Sequence, residues 1–184
     1  MPNAEYRAVS APLEIDDVIV LLLGAPGLEP RGRLEGITRL EKLTFLIERE
    51  TPIRAWMSER GDFRSHRFGP FSEKVYRAAD QLATAGLLSD SKAISESPDD
   101  GWEAGNVVIG SDADPYITRD FELTGLGHRY YDALLRELPA GAEATLVEFK
   151  QRFGVLPLRQ LVRYVYQRYP EYTDRSEIKD DILR

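Results

Sequence analysis

Residues Tyr76–Leu88, YRAADQLATAGLL, decide how this chain folds. An aromatic at Tyr76, a leucine six residues on at Leu82 and the terminal Gly86-Leu87-Leu88 describe one amphipathic helix running directly into a strand. Immediately upstream, Phe68-Gly69-Pro70-Phe71-Ser72 breaks the preceding chain and supplies a capping serine, with Glu73 in the first turn of the helix. Val75, Tyr76, Ala79 and Leu82 then face a core, while Glu73, Lys74, Arg77, Asp80, Gln81 and Thr84 face outward.

Working towards the amino terminus, Thr38–Arg49 has Leu40, Leu43 and Ile47 at helical spacing and ends at Thr51-Pro52. Leu13–Leu23 forms an earlier helix with Asp16 and Asp17 in its first turn, and the Gly- and Pro-rich stretch Gly24–Gly36 is a loop. Asp62–Phe68 is short and irregular or extended, and Gly69-Pro70 breaks it. Towards the carboxyl terminus, Leu87–Ile94 and Tyr116–Leu123 read as two strands flanking an acidic insert, where a small strand at Val107–Ile109 fits. Thr124 caps a helix over Leu126–Leu138, and Ala142–Phe153 is helical. Leu158, Leu161, Val162, Val165, Tyr166 and Tyr169 make a further amphipathic helix, with Thr173 or Ser176 capping a last short one. Three helices followed by a strand pair predict a mostly helical α+β winged helix-turn-helix over 13–138, with a long acidic wing insert at 89–116. Residues 142–184 form a helical C-terminal extension.

Charge qualifies that expectation. The chain carries a net −7, which disfavours a polyanionic partner. Ser89–Tyr116 holds seven acids against Lys92, while Lys150–Tyr169 holds five basic residues and no acid. The molecule is therefore electrically polarised. It has no cysteine, so disulfides and thiolate chemistry are excluded. The apolar run Val18–Leu23 is far too short to span a bilayer, and a cytoplasmic protein without membrane association is expected.

If the third helix reads duplex DNA, Lys74, Arg77 and Gln81 are the side chains to do it, since Arg suits guanine edges and Gln suits adenine. Arg64 and Arg67, with Arg60 and His66, add a basic cluster just before it, which Arg31, Arg33, Arg39 and Lys42 could extend into a phosphate-binding stripe. Glu35, Glu41, Glu59 and Asp62 interleave with these and favour a solvated face of mixed charge. On the amphipathic C-terminal helix, Arg159, Arg163, Tyr164 and Arg168 lie off the apolar stripe. They suit nucleic acid or a protein partner, and the acidic insert of a second subunit complements them.

Several segments resemble a prokaryotic winged-helix group. Gly36–Leu46 (GITRLEKLTFL), Phe68–Ser72 (FGPFS), Phe121-Glu122-Leu123-Thr124 with Gly127, and Tyr164–Ile178 (YVYQRYPEYTDRSEI) are similar to motifs of the YwgA-like proteins. The likeness is more distant to the Panacea domain of SocA-like antitoxins. The Tyr76–Leu88 stretch is similar to the third helix of PadR-type regulators. The resemblance implies the fold, an antitoxin branch that acts through protein partners, and a regulator branch that binds DNA.

Catalytic chemistry is not expected. His66 and His128 lack partners at metal-ligand spacing, and Gly125-Leu126-Gly127 lacks the third glycine of a dinucleotide site. Asp112, Asp114 and Asp120 lack the glycine and closing glutamate of a calcium loop, and Glu177-Ile178-Lys179 falls in a helix rather than a nuclease strand. No cofactor and no metal are called for. The expected role is a non-catalytic, homodimeric regulatory or antitoxin-type module, either on double-stranded DNA or as an adaptor that binds protein through its acidic wing and C-terminal helix.

Overall fold

The computed structural model describes residues 12–27, 29–91 and 119–184. They form a mixed α+β fold, mostly helical, with two small open sheets. Helix α1 (Ile15–Gly24) starts at Glu14, whose backbone N–H donates to Asp17 Oδ2 at 2.9 Å. Beyond Asp17 every residue of α1 is buried, as expected of a helix apolar on all sides. Helix α2 (Ile37–Glu50) is buried without a break from Ile37 to Glu48, although Arg39, Glu41, Lys42 and Glu48 lie within that run. Charges so placed must find partners inside the protein.

Strand β1 (Arg33–Leu34) lies between these helices, inside the stretch read from sequence as plain loop. It pairs antiparallel with the later β5, Leu34 opposite Phe121. Two residues are too few for an alternation signal. Strands β2 (Arg64–His66) and β3 (Gly69–Phe71) form a hairpin, so Gly69-Pro70 lies within a strand and does not simply break the chain. A two-stranded ribbon tolerates the missing proline N–H, and Gly69 takes the positive φ of 87° that the turn demands.

Helix α3 (Glu73–Thr84) starts at Ser72, whose Oγ accepts from the Val75 N–H. Its end explains the Gly-Leu-Leu signature. Gly86 sits at φ 72°, its N–H donates to the Ala83 carbonyl, and the Leu87 N–H donates to the Leu82 carbonyl. This paired stop satisfies the last carbonyls and turns the chain into β4 (Leu88–Asp90). Strand β5 (Phe121–Leu123) lies between β1 and β4, with Leu88 opposite Leu123. The expected strand at Val107–Ile109, most of the acidic insert, and Asp112 and Asp114 lie outside the described residues.

Thr124 caps α4 (Gly125–Glu137) by accepting from the Gly127 N–H, while its hydroxyl donates to the Gly86 carbonyl at 2.6 Å. Helix α5 (Ala142–Phe149) gives way at Lys150 to a π-turn through Gly154, where sequence periodicity continues the helix to Phe153. Helix α6 (Leu158–Arg168), a short turn at Pro170–Tyr172 and α7 (Lys179–Leu183) complete the chain. Neither Thr173 nor Ser176 caps α7. Thr173 Oγ1 donates to the Pro170 carbonyl, and Ser176 Oγ accepts from Ile178 and bonds the Tyr166 hydroxyl. The apolar faces of α1, α2, α3 and α6 join one buried cluster. Among the described residues, no helix is long and apolar enough to cross a membrane.

Candidate nucleic-acid and partner surfaces

Each candidate on α3 can be placed. Lys74, on its first turn, is half-buried rather than reaching outward. Its Nζ lies 2.8 Å from Glu59 Oε2, 2.8 Å from Asp62 Oδ2 and 2.9 Å from the Arg60 carbonyl. Hydrogen bonds to Asp62 and Glu59 raise its pKa above the ordinary lysine value. Arg64 pairs with Glu73 across the hairpin, and Arg67 Nε lies 3.0 Å from Glu177 in the C-terminal segment. Asp80 holds Arg119 at 2.7 Å, and Arg119 also reaches the nearly inaccessible Asp90 carboxylate at 3.0 Å. Asp90, counted from sequence in the acidic insert, thus belongs to the base of the sheet. Arg77 and Gln81, one turn apart, stay exposed on the outer face.

The stripe that Arg31, Arg33, Arg39 and Lys42 were to extend is interrupted, with Arg31 and Arg33 exposed and the other two not. Arg33 pairs with Glu35, and Arg31 lies over the Tyr131 ring and donates to the Gly24 carbonyl. Arg39 and Lys42 are buried. The interleaved Glu41 is buried as well, so the solvated-face reading fails at these positions too.

Lys42 instead anchors a polar network beneath the start of α3. Its Nζ donates to Glu41 Oε2 and to the Pro70 carbonyl, both at 2.8 Å. The other Glu41 oxygen accepts from the Ser72 N–H at 2.8 Å. Ser72 Oγ donates to the Gly61 carbonyl, and the Gly61 N–H donates to Glu48 at 2.8 Å. Burial pushes the Glu41 carboxyl above its ordinary pKa against the opposing pull of Lys42 and Ser72. The network ties α2 to β3 and fixes where α3 begins. Nothing in it reaches solvent.

Two arginines of the basic C-terminal helix are bound to α7. Arg159 pairs with Asp181 at 3.3 Å, and Arg163 Nε donates to the Ile182 carbonyl at 2.6 Å. These two arginines hold α7 against α6. Tyr164 is half-buried, its ring against Phe153 and its hydroxyl donating to Glu50 at 2.7 Å. Arg168 remains exposed, over the Tyr169 ring. Lys150 is shut inside, donating to the Leu23 and Ala25 carbonyls at 3.2 and 2.5 Å at the carboxyl end of α1. Desolvation, with Arg31 nearby, lowers its pKa to about 8.

The closing tyrosine motif therefore has a structural assignment. Tyr164 and Tyr169 both donate to Glu50, Tyr166 bonds Ser176, and Tyr172 accepts from Arg49. Phe45, wholly buried, takes Phe63, Tyr169 and Tyr172 edge-on at centroid distances of 5.0, 5.0 and 5.1 Å. Sequence reasoning missed Arg49, Glu50 and Lys150. A glutamate at the carboxyl end of a helix, where the dipole disfavours it, was the available signal for Glu50.

Of the histidines, His66 lies exposed beside the Phe71 ring, and His128 packs half-buried against Gly32. Among the described residues no group of three or more His, Cys, Asp or Glu is placed to hold a metal ion. No family model, curated protein or solved structure matches the chain.

Proposed function

We propose that this chain is a non-catalytic winged-helix module of a regulatory or antitoxin-like system that acts by gripping another protein rather than by reading duplex DNA. The carrying observation is the clasp on Lys74. The lysine best placed to meet a phosphate at the start of α3 is held between Glu59 and Asp62, and those carboxylates would face the phosphates with it.

Support for the winged-helix reading comes from chain order. Apart from the β2–β3 hairpin between α2 and α3, helix, short strand, two helices and two strands follow in sequence, with β1 lying beside β5 and β5 beside β4. The YwgA-like resemblance agrees with this order, and the more distant SocA-like one with a protein partner. One feature departs from a simple helix-turn-helix. Twenty-two residues, including the β2–β3 hairpin, separate α2 from α3, where a DNA-reading pair joins its helices through about three or four.

The second reading keeps DNA, and one observation favours it: Arg77 and Gln81 are exposed four residues apart on the outer face of α3. Binding to random duplex DNA at about 50 and 200 mM salt decides between the two, because phosphate-driven binding falls steeply over that span. The protein-contact reading expects no salt-sensitive binding. Binding at low salt that Arg77→Glu abolishes would replace it with the DNA reading.

A further inference from the structure

Arg33, Arg64, Arg67, Arg119 and Arg159 are matched to carboxylates. Arg64 and Arg119 also lie over the Phe71 and Phe121 rings. Arg49, Arg152 and Arg168 lie over aromatic rings too, and among the described residues only Arg152 of these three is matched to a carboxylate, Glu50. Arg49 lies over Phe45 and Tyr172, Arg152 lies 4.5 Å above the Phe153 ring, and Arg168 lies over Tyr169. These three form one patch where the carboxyl ends of α2 and α6 meet the turn after α5. Tyr164, Glu50 and Tyr169 bridge Arg152 to Arg168, and the Phe45–Tyr169 contact links them to Arg49.

Glu50 is the carboxylate that approaches this patch, 3.6 Å from Arg152, and its other oxygen already accepts from two tyrosine hydroxyls. Glu148, near the end of α5, and Glu171, on the turn after α6, are exposed, and among the described residues neither is ion-paired with the three guanidinium groups. An arginine held flat on a ring has lost part of its conformational freedom in advance and keeps spare N–H donors in a fork that fits a carboxylate. Arginine and tyrosine together are also the usual anchors of protein interfaces.

We propose that Arg49, Arg152 and Arg168 form a docking patch for the acidic stretch between Ser91 and Arg119 of a second copy of this chain. The inference rests on the protein-contact reading above and supplies a partner for it. The stretch contains Glu96, Asp99, Asp100, Glu103, Asp112 and Asp114 against the single Lys92, and so complements the patch in charge. Its two ends meet the fold at the opposite pole of α2. There the Gly36 N–H, just before the helix, donates to the Arg119 carbonyl. The patch lies beyond the length of the buried helix, about 20 Å away at 1.5 Å per residue. Within one molecule the stretch would have to span that length and return. Two copies related by a two-fold axis exchange these stretches reciprocally and make the contact twice.

Sedimentation velocity on the full chain tests this at low and high salt. The wild type is expected to dimerise at low salt and to dissociate at high salt. The Arg152→Glu/Arg168→Glu variant should dimerise at least about tenfold more weakly, with unchanged far-ultraviolet circular dichroism. Asp99→Lys/Asp100→Lys should do the same. Mixing the two variants restores both charge pairings, so a mixed dimer should form where neither variant dimerises alone. That recovery also separates lost contact from lost folding. A monomeric wild type, as docking within one molecule would give, overturns the proposal, as does a dimer indifferent to both reversals. Either failure leaves the duplex-binding measurement to judge the protein-contact reading separately.

Discussion

The Lys42 ammonium and the carboxylate of its sequence neighbour Glu41 lie 2.8 Å apart, both almost wholly shut off from water. Such a pair is costly to assemble, but removing one partner costs more, because it strands the other charge. Lys42→Met should lower unfolding stability by about 3–5 kcal/mol, read as a fall in the urea midpoint. Lys74→Ala, which removes a more exposed lysine, should cost no more than about 1 kcal/mol. Equal losses from the two substitutions would contradict the distinction between an internal anchor and a surface clasp.

Gly127 is fixed by close approach. A Cβ placed there would lie 2.1 Å from the Leu87 carbonyl oxygen and 3.1 Å from a Leu123 methyl. Backbone cannot yield as a flexible side chain can. Gly127→Ala should therefore destabilise the protein by about 1–3 kcal/mol or more, as overpacking does, although alanine ordinarily favours a helix. Gly125→Ala, two residues earlier, meets only the end of the Arg129 side chain at 3.8 Å. Thermal melts of the two variants should move apart, and equal melting temperatures would refute the wedge.

Much of the fold was legible because its signals are local. Ser72, Thr124 and the Gly86-Leu87 stop act within a turn of themselves, and each does what its residue type dictates. The inward positions Val75, Tyr76, Ala79 and Leu82 follow from periodicity alone. Strand β1 was hidden because two residues carry no period. Its identity depends on β5, some ninety positions away. The site was less legible for a related reason. Lys42, Arg39 and Lys150 read as surface charge, because composition cannot show that a carbonyl or carboxylate waits inside. The basic C-terminal helix showed its charge but not its destination, since Asp181 and Glu50 reach it only through tertiary packing.

Glu50 holds two tyrosine hydroxyls, so its removal should show in both stability and titration. Glu50→Leu leaves the Tyr164 and Tyr169 hydroxyls without their acceptor, a loss of about 1–3 kcal/mol in urea unfolding. Burial, the Glu50 hydrogen bond and its negative charge together push the Tyr169 pKa up to about 12. Without Glu50, tyrosinate absorbance should therefore appear at lower pH. An unchanged titration curve would mean that burial alone sets the value.

Lys150 gives stability a pH dependence whose sign can be worked out. Its pKa is lowered to about 8 in the fold, against about 10.4 for an unperturbed lysine. Between those values the unfolded chain holds a proton that the native protein has shed, so stability rises with pH across that window. The gain is at most about 3 kcal/mol at 1.36 kcal/mol per unit, and carbonyl hydrogen bonds to the ammonium reduce it. Above about pH 10 the direction reverses. Tyr131, Tyr166 and Tyr169, with pKa values pushed up to about 12, stay protonated in the fold while the unfolded chain ionises. Urea midpoints should therefore climb from pH 8 towards 10 and fall beyond it. In Lys150→Met the climb should vanish while the fall remains, and a wild-type profile flat from pH 8 to 10 would show that the buried ammonium is not strained.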